Sequence, residues 1–361
     1  MVVWVANSAM SLKPGAKRVI PEIPEDLRTF IANMPKAEIH LHLEGAVPIE
    51  TLYEFAKRAG ARSGVKSIED LRARLAYRDF GHFIETWTWK NTFIEGYADF
   101  EVMAYEVLRS LSEENIRYVE AHYSPGDYYM QRLKTEGITE SALAGVERAH
   151  ADFGIRCGLI IDLVRDHGPE IGMIRLNEVT PYQGKGVIGV GIGGSEREFP
   201  PGPYAGVYRA ARDRGFHLTA HAGEAAGPES ITGAVLELDV ERIGHGVRAN
   251  EDPEVVALLR AREIPLEMCI ISNVRTGVIK SVAEHPVRDY FDGGLVITVN
   301  SDDPVMFNTT LTDEYLALAG DLEFSHDEIK QVVLNGLRAS FLPEEDKRRM
   351  LAEFETELER L

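Results

Sequence analysis

Beyond residue 113 the chain alternates between short apolar runs and longer stretches whose apolar positions recur at helical spacing. Ile116–Tyr123, Cys157–Leu163, Gly186–Val190, His217–His221, Arg242–His245, Pro265–Met268 and Leu295–Asn300 read as strands two to eight. Helices are expected after them around Glu140–Asp152, Glu170–Leu176, Tyr204–Arg214, Ser230–Leu238, Pro253–Arg262, Val287–Phe291 and Asp313–Leu318. Ala37–Leu43 reads as strand one. Pro48 then opens a helix with Leu52, Phe55 and Ala56 on its apolar face. A short helical pattern from Glu25 to Asn33 precedes that strand and closes the bottom of the fold. Eight strands, most followed by a helix, predict an α/β fold: a closed (β/α)8 TIM barrel rather than an open sheet.

Two stretches depart from this alternation. Residues 61–113 read as a helical insertion after strand one, with Ile68, Leu71 and Leu75, then Phe80, Phe83, Ile84 and Trp87, then Phe100, Met103, Ala104, Val107, Leu108 and Leu111 at helical spacing. Their aromatic residues suit a core more readily than a ligand wall. The tail carries two extra C-terminal helices, one opened by the capping box Ser325-His326-Asp327-Glu328 and one by Pro343. Residues 1–20 read as a loose arm, with Met10 as an alternative start, and residues 21–361 as one barrel domain without repeats or linkers.

Charge narrows the partners. A formal net charge of -19 repels phosphate backbones, so nucleic acid and anionic membrane surfaces are not expected partners. No apolar run approaches the roughly 20 residues of a membrane span. Two cysteines, Cys157 and Cys269, are too few for a disulfide framework and fit a reducing cytoplasm. Oligomeric state is not legible.

The candidate chemistry gathers at strand ends. His40 and His42 are two apart in a strand and so face one side. Strand five ends in Thr219-Ala220-His221-Ala222-Gly223-Glu224, strand six in Ile243-Gly244-His245-Gly246, strand eight in Asn300-Ser301-Asp302-Asp303-Pro304. All fall on the carboxyl face, where barrel active sites lie. Imidazoles with one carboxylate suit Zn²⁺, which lowers the pKa of a bound water. Glu224 is placed to give or take a proton beside such an ion. His245 is placed to hold or deprotonate its water. Of Asp302 and Asp303, one can ligate and the other can bond to substrate. Among the other histidines, His82, His150, His285 and His326 read as surface residues and His217 as outward-facing. His122 and His167 can line the mouth but are not expected as ligands. The acidic pairs Glu113-Glu114 and Glu344-Glu345 read as solvated.

Pro35–Gly45, Thr219–Glu224, Arg242–Gly246 and Ser301–Pro304 together resemble the motifs of the adenosine/AMP deaminase branch of the metal-dependent amidohydrolases. The resemblance implies that His40, His42, His221 and Asp302 bind one zinc ion per chain. It implies that Glu224 protonates N1 of a purine and that His245 orients and activates the attacking water. Asp303 would bond to N7, and the amino group at C6 would leave as ammonia. It also implies a small-molecule purine nucleoside as partner.

Departures from the family pattern bear on the substrate. Where nucleoside deaminases carry Asp-Leu-Ala-Gly-Asp-Glu, this chain has Gly191-Ile192-Gly193-Gly194-Ser195-Glu196. Gly194 keeps the glycine whose amide meets purine N3, whereas adenine-specific members tend to carry serines there. Glu44 stands where an aspartate often meets the 5′-hydroxyl, and Ser124 resembles a further sugar-pocket residue. The expected substrate is therefore adenosine or a 5′-modified adenosine such as 6-amino-6-deoxyfutalosine. Adenine, a non-purine amidohydrolase substrate, and a catalytically silent nucleoside-binding protein are the alternatives. Phe83 and Trp87, in the insertion, are expected to form an apolar lid over the purine.

Overall fold

Eight strands run parallel and pair in chain order: β1 (Lys36–His42), β2 (Ile116–Tyr123), β3 (Arg156–Asp162), β4 (Val187–Gly191), β5 (His217–Ala222), β6 (Arg242–His245), β7 (Leu266–Met268) and β8 (Ile297–Val299). The computed structural model describes residues 23–78 and 80–361, so the expected loose arm lies outside the described residues. The seam between β8 and β1 closes just beyond β8, where Leu41 bridges Asp302. There the His42 N–H donates to the Asp302 carbonyl at 2.9 Å and the Asp302 N–H to the His40 carbonyl at 3.1 Å. Buried Glu38 stitches the same seam by accepting from the Ser301 hydroxyl (2.6 Å) and N–H (2.9 Å). With helices around this sheet, the architecture is the (β/α)8 barrel that the alternation predicts.

β1 is not regular. Glu38 faces Val119 and Leu41 faces Ala121, so β1 holds one residue more than β2 across that interval. The amides displaced by this bulge find side chains instead: Ile39 N–H donates to Asn300 Oδ1 (3.0 Å) and His40 N–H to Glu38 Oε1 (3.2 Å). Bulges at barrel rims re-aim side chains, and this one lies at the first of the two histidines.

Beneath the mouth the barrel interior holds a buried cation. The Arg242 guanidinium pairs with Glu120 at 2.7 Å and with Glu267 at 2.5 Å, and stacks 3.6 Å from the Phe341 ring. A buried charge persists only when paired in this way.

The insertion forms the helices Ile68–Leu75, Phe80–Asn91 and Tyr97–Ser112, and the tail forms His326–Ala339 and Glu344–Arg360. The Ser325 capping box is present. Trp89 and Phe93 join the main core, but Phe83 packs with Met306 and Phe307 in a separate cluster flanked by Tyr77 and Trp87. Two short helices, Ile270–Arg275 after β7 and Pro304–Phe307 after β8, were not expected from the pattern. The apolar run Met268-Cys269-Ile270-Ile271 continues the strand signal, and six residues are too few to show a period. Buried Glu314 starts the first of them by accepting from the Ile270 and Ile271 N–H groups (2.9 and 3.2 Å). The expected helix Ser230–Leu238 ends in a π turn over Ala234–Leu238. Among the described residues, no helix is long and apolar enough to cross a membrane.

Candidate metal and catalytic site

The strand ends converge as the motifs require. His42 Nε2 lies 3.1 Å from His221 Nε2 and 3.4 Å from Asp302 Oδ1, and His40 Nε2 lies 3.6 Å from the same oxygen. His40, His221, His245 and Asp302 each bring a ligand atom within 4.8 Å of the others, and all four are buried. Two of the imidazoles have their tautomers fixed from behind. His40 Nδ1 lies 2.6 Å from Glu267 Oε2, and His221 Nδ1 lies 3.1 Å from the Ile192 carbonyl. Neither partner can donate, so the protons sit on Nδ1 and both Nε2 lone pairs face the centre. His40 Nε2 has no hydrogen-bond partner although the residue is fully buried. Lone pairs crowded in a dry interior repel one another unless a cation sits among them. Burial also holds these imidazoles neutral, their pKa values well below the ordinary one. The set fits a divalent metal ion, and its imidazole-plus-carboxylate chemistry fits zinc.

Two site residues adopt left-handed backbone: His245 at φ +62° and Asp302 at φ +63°. For non-glycine residues this costs about 1–3 kcal/mol and persists where surroundings over-determine it. Asp302 Oδ2 accepts from Ser272 Oγ at 2.6 Å, leaving Oδ1 toward His40 and His42.

Glu224, in the loop after β5, places Oε2 at 3.6 Å from His245 Nε2. Burial, and then the Glu196 carboxylate, push its carboxyl up to about 8. Glu196 builds that loop: it accepts from the N–H groups of Gly223 (2.5 Å), Glu224 (3.1 Å), Ala225 (2.7 Å) and Ala226 (2.9 Å). His245 Nδ1 meets Asn273 Nδ2 at 3.1 Å, and Asn273 Oδ1 meets His285 Nε2 at 3.2 Å. His285 is thus buried, 3 % exposed, and not the surface residue its loop position suggested. The chain after β7 folds back and inserts it behind Asn273. His122, also buried, packs its ring against those of His40 and His42. His217 is half-buried, its ring stacked on that of Phe341 with centroids 4.4 Å apart.

The substrate end is acidic. Asp303 is buried with Oδ1 unpartnered, and a Cβ at Gly45 would fall 1.6 Å from that oxygen, so only glycine fits there. Burial and the neighbouring Asp302 push the Asp303 carboxyl well up. Glu44 Oε1 accepts from the Ser124 N–H at 2.9 Å while its Oε2 is buried without a partner. Ser124 Oγ donates to Asp162 Oδ2 at 3.2 Å. Gly194 is exposed at φ +98°, and a Cβ there would meet Asp166 Oδ2 at 2.2 Å. Trp87 stands edge-on to His42, ring centroids 6.1 Å apart, and donates from Nε1 to Asp127 Oδ2 at 3.0 Å. Lys90 lies under it, with Nζ 3.9 Å from the Trp87 ring and donating to the Glu44 carbonyl at 2.8 Å. Phe83 stacks on Phe307, 5.4 Å between centroids, with Trp87 beyond it. His40, His42, His221, Glu224, His245 and Asp302 therefore meet at one mouth, whereas the neighbours of Gly194 are Arg165 and Asp166.

Sequence reasoning missed Glu267, Ser272, Asn273, His285, Lys90 and the role of Glu196. A glutamate amid the apolar residues of β7 was the one visible signal. The others become neighbours only through the fold.

Comparison with known proteins agrees with this geometry. The adenosine deaminase family profile matches residues 35–357. An adenosine deaminase from Clostridium kluyveri is 30% identical over 333 residues, covering 91% of this chain and 96% of that protein. An aminodeoxyfutalosine deaminase from Streptomyces coelicolor is 32% identical over 340 residues, 94% and 88% respectively. The crystal structure of an adenine deaminase from Arthrobacter aurescens superposes with a TM-score of 0.84 at 30% identity, covering 90% of this chain and 98% of that one. An amidohydrolase from Burkholderia ambifaria, solved with bound zinc, gives a TM-score of 0.87 at 26% identity, covering 94% and 96%. Three activities at such similar identity leave the choice of purine to the site itself. The chain belongs to the adenosine deaminase family, and it is a hydrolytic deaminase of a purine.

Proposed function

We propose that this family member uses one zinc ion to deaminate an adenosine-like nucleoside, giving the 6-oxopurine and ammonia. The reading is carried by one juxtaposition: two imidazole lone pairs and Asp302 Oδ1 face a common centre, with Glu224 and the unpartnered Asp303 oxygen beside it. His40, His42, His221 and Asp302 would hold the ion. Bound there, it supplies Lewis acidity and a nucleophile at neutral pH. The bound zinc in the Burkholderia amidohydrolase supports zinc as the metal.

The protein's own groups address the purine. Glu224, its pKa pushed up to about 8, is protonated at neutrality and donates to N1. Protonation at N1 draws electrons from C6, where the oxygen of water adds. His245 orients that oxygen. The C6–N bond then breaks, the amine takes up a proton, and ammonia leaves, so that one water is consumed for each ammonia released. Asp303, its carboxyl pushed well up by burial and by Asp302, bonds to N7. Phe83 and Trp87 cover the ring and exclude water.

The sugar end favours a nucleoside. Glu44 Oε2, free and buried, accepts a 5′-side hydroxyl, and Ser124 shapes the same wall. Glu44, Asp127 and Asp162 cluster there, which opposes a 5′-phosphate. Adenosine and uncharged or distally charged 5′-modified adenosines, 6-amino-6-deoxyfutalosine among them, are the substrates this end suits. Two free cysteines support a reducing cytoplasm as the compartment of this reading.

The test is a panel on zinc-loaded protein, following ammonia release from adenine, adenosine, 2′-deoxyadenosine, 5′-deoxy-5′-methylthioadenosine, AMP and 6-amino-6-deoxyfutalosine. One nucleoside should lead adenine and AMP by orders of magnitude. Preference for adenine would overturn the reading of Glu44 and Gly194. No turnover by metal-replete protein would overturn the purine assignment.

A further inference from the structure

We propose that Asn273 and His285 lock His245 in its Nε2–H tautomer, so that the reaction centre meets an N–H donor there and not a lone pair. Asn273 and His285 are then positioning residues. This inference rests on the proposed function only in placing His245 beside the reacting oxygen.

The direction of the bonds follows from one fixed donor. The backbone N–H of Val287 points at His285 Nδ1 at 3.2 Å. A backbone N–H can only donate, so His285 Nδ1 accepts and its single proton lies on Nε2. Burial keeps this imidazole neutral, with a pKa lowered to about 3. His285 Nε2–H therefore donates to the Asn273 oxygen at 3.2 Å. That fixes the amide, whose Nδ2–H donates to His245 Nδ1 at 3.1 Å. His245 Nδ1 is an acceptor, and the proton of the neutral ring must sit on Nε2, 3.6 Å from Glu224 Oε2.

The consequence is a sorting of the histidines. His40 and His221 carry protons on Nδ1, donated to Glu267 and to the Ile192 carbonyl, and present Nε2 lone pairs. His245 is the reverse, although its ring lies 5.0 Å from that of His40 and 5.2 Å from that of His221. Its Nε2 has no lone pair to give a cation, and its Nδ1 is already used. Proximity alone places His245 among the candidate ligands. The hydrogen-bond wire removes it from that set and makes it a donor that orients the attacking oxygen. Neutral His245 cannot take up a proton at Nε2, so the group that receives the proton from water is a different one.

Two-bond ¹H–¹⁵N correlation spectra of full-length, zinc-loaded, [¹⁵N]histidine-labelled protein read the tautomers directly. His245→Gln identifies the His245 signals. Expected are an Nε2-protonated His245 and Nδ1-protonated His40 and His221. Asn273→Asp replaces the donor by an acceptor, and should convert His245 to the Nδ1–H form. It should also lower kcat on the order of 10²–10⁴-fold with a much smaller change in KM, as a wrong tautomer does in other enzymes. An Nδ1-protonated His245 in the wild type would overturn the proposal, as would an unchanged tautomer in Asn273→Asp. If Asn273→Asp does not fold, the wild-type spectrum alone decides. The spectrum needs no substrate. A protein with the Nε2–H signal that deaminates no purine would therefore refute the proposed function and leave this inference standing.

Discussion

Glu267→Gln should weaken zinc binding without abolishing the fold. The carboxylate is completely buried and works in two directions: Oε2 accepts from His40 Nδ1 at 2.6 Å, and Oε1 pairs with Arg242 Nε at 2.5 Å. A glutamine of the same shape has one acceptor and one donor. If its oxygen keeps His40, its NH₂ faces the Arg242 Nε–H. If it turns, its NH₂ faces the His40 N–H. Either way one bond becomes a donor–donor contact. Arg242 keeps Glu120 at 2.7 Å, so its charge is not orphaned. The loss of a charge-assisted bond costs about 1.5–3 kcal/mol. On His40 the change lowers imidazole basicity and loosens the ring, and partners behind a ligand typically account for about 10–100-fold in metal affinity. Competition against a zinc chelator should show a fall of that size, about 1.4–2.7 kcal/mol. Urea unfolding of the metal-free protein should show a loss of about 1–3 kcal/mol. Saturating zinc should restore most of kcat. A variant that unfolds more easily but binds zinc like wild type would refute His40 as a ligand.

Three further expectations follow from the same geometry. Glu224→Gln should lower kcat by about 10²–10⁴-fold; wild-type kcat/KM should fall as pH rises through about 8, where the raised carboxyl loses the proton it donates, and the variant should lack that limb. Trp87→Ala removes the ring beside His42 and the bond to Asp127, so KM should rise or kcat fall, and wild-type kinetics would refute the lid. Glu328, paired with Arg288 at 2.7 Å, has its carboxyl lowered to about 2 chiefly by that bond. A lowered carboxyl stabilises the fold above its unfolded pKa and loses that contribution as pH falls toward the folded value. Glu328→Gln should therefore melt below wild type at neutral pH, and thermal scans of the two should converge as pH falls toward about 2.

The barrel and its mouth were legible because the polar residues of each strand sit at one end. His40, His42 and His221 lie within the last three residues of their strands and Asp302 just beyond β8, and strand direction does the rest. β2 and β6 even match in extent. What supports those residues was not legible. Glu267 looks like any polar position in a short strand until Arg242 and His40 are seen on either side of it. Asn273 sits in a helix too short to show a period, and His285 in a loop whose burial depends on the path of the chain after β7. Local polarity misled in the same way at Glu114. It was expected to be solvated, yet its carboxylate accepts from the Thr312 N–H and hydroxyl at 3.0 and 2.9 Å. Glu113, Glu344 and Glu345 are exposed, as expected.

The central claim is hydrolytic removal of a 6-amino group at this metal centre. It is tested most directly by turning over the preferred nucleoside in ¹⁸O-water with zinc-loaded protein, and weighing the product. One ¹⁸O at C6 for each ammonia released, lost when zinc is stripped and restored when it is returned, is the predicted result. Release of ammonia without ¹⁸O in the purine, or turnover indifferent to the metal, would contradict it.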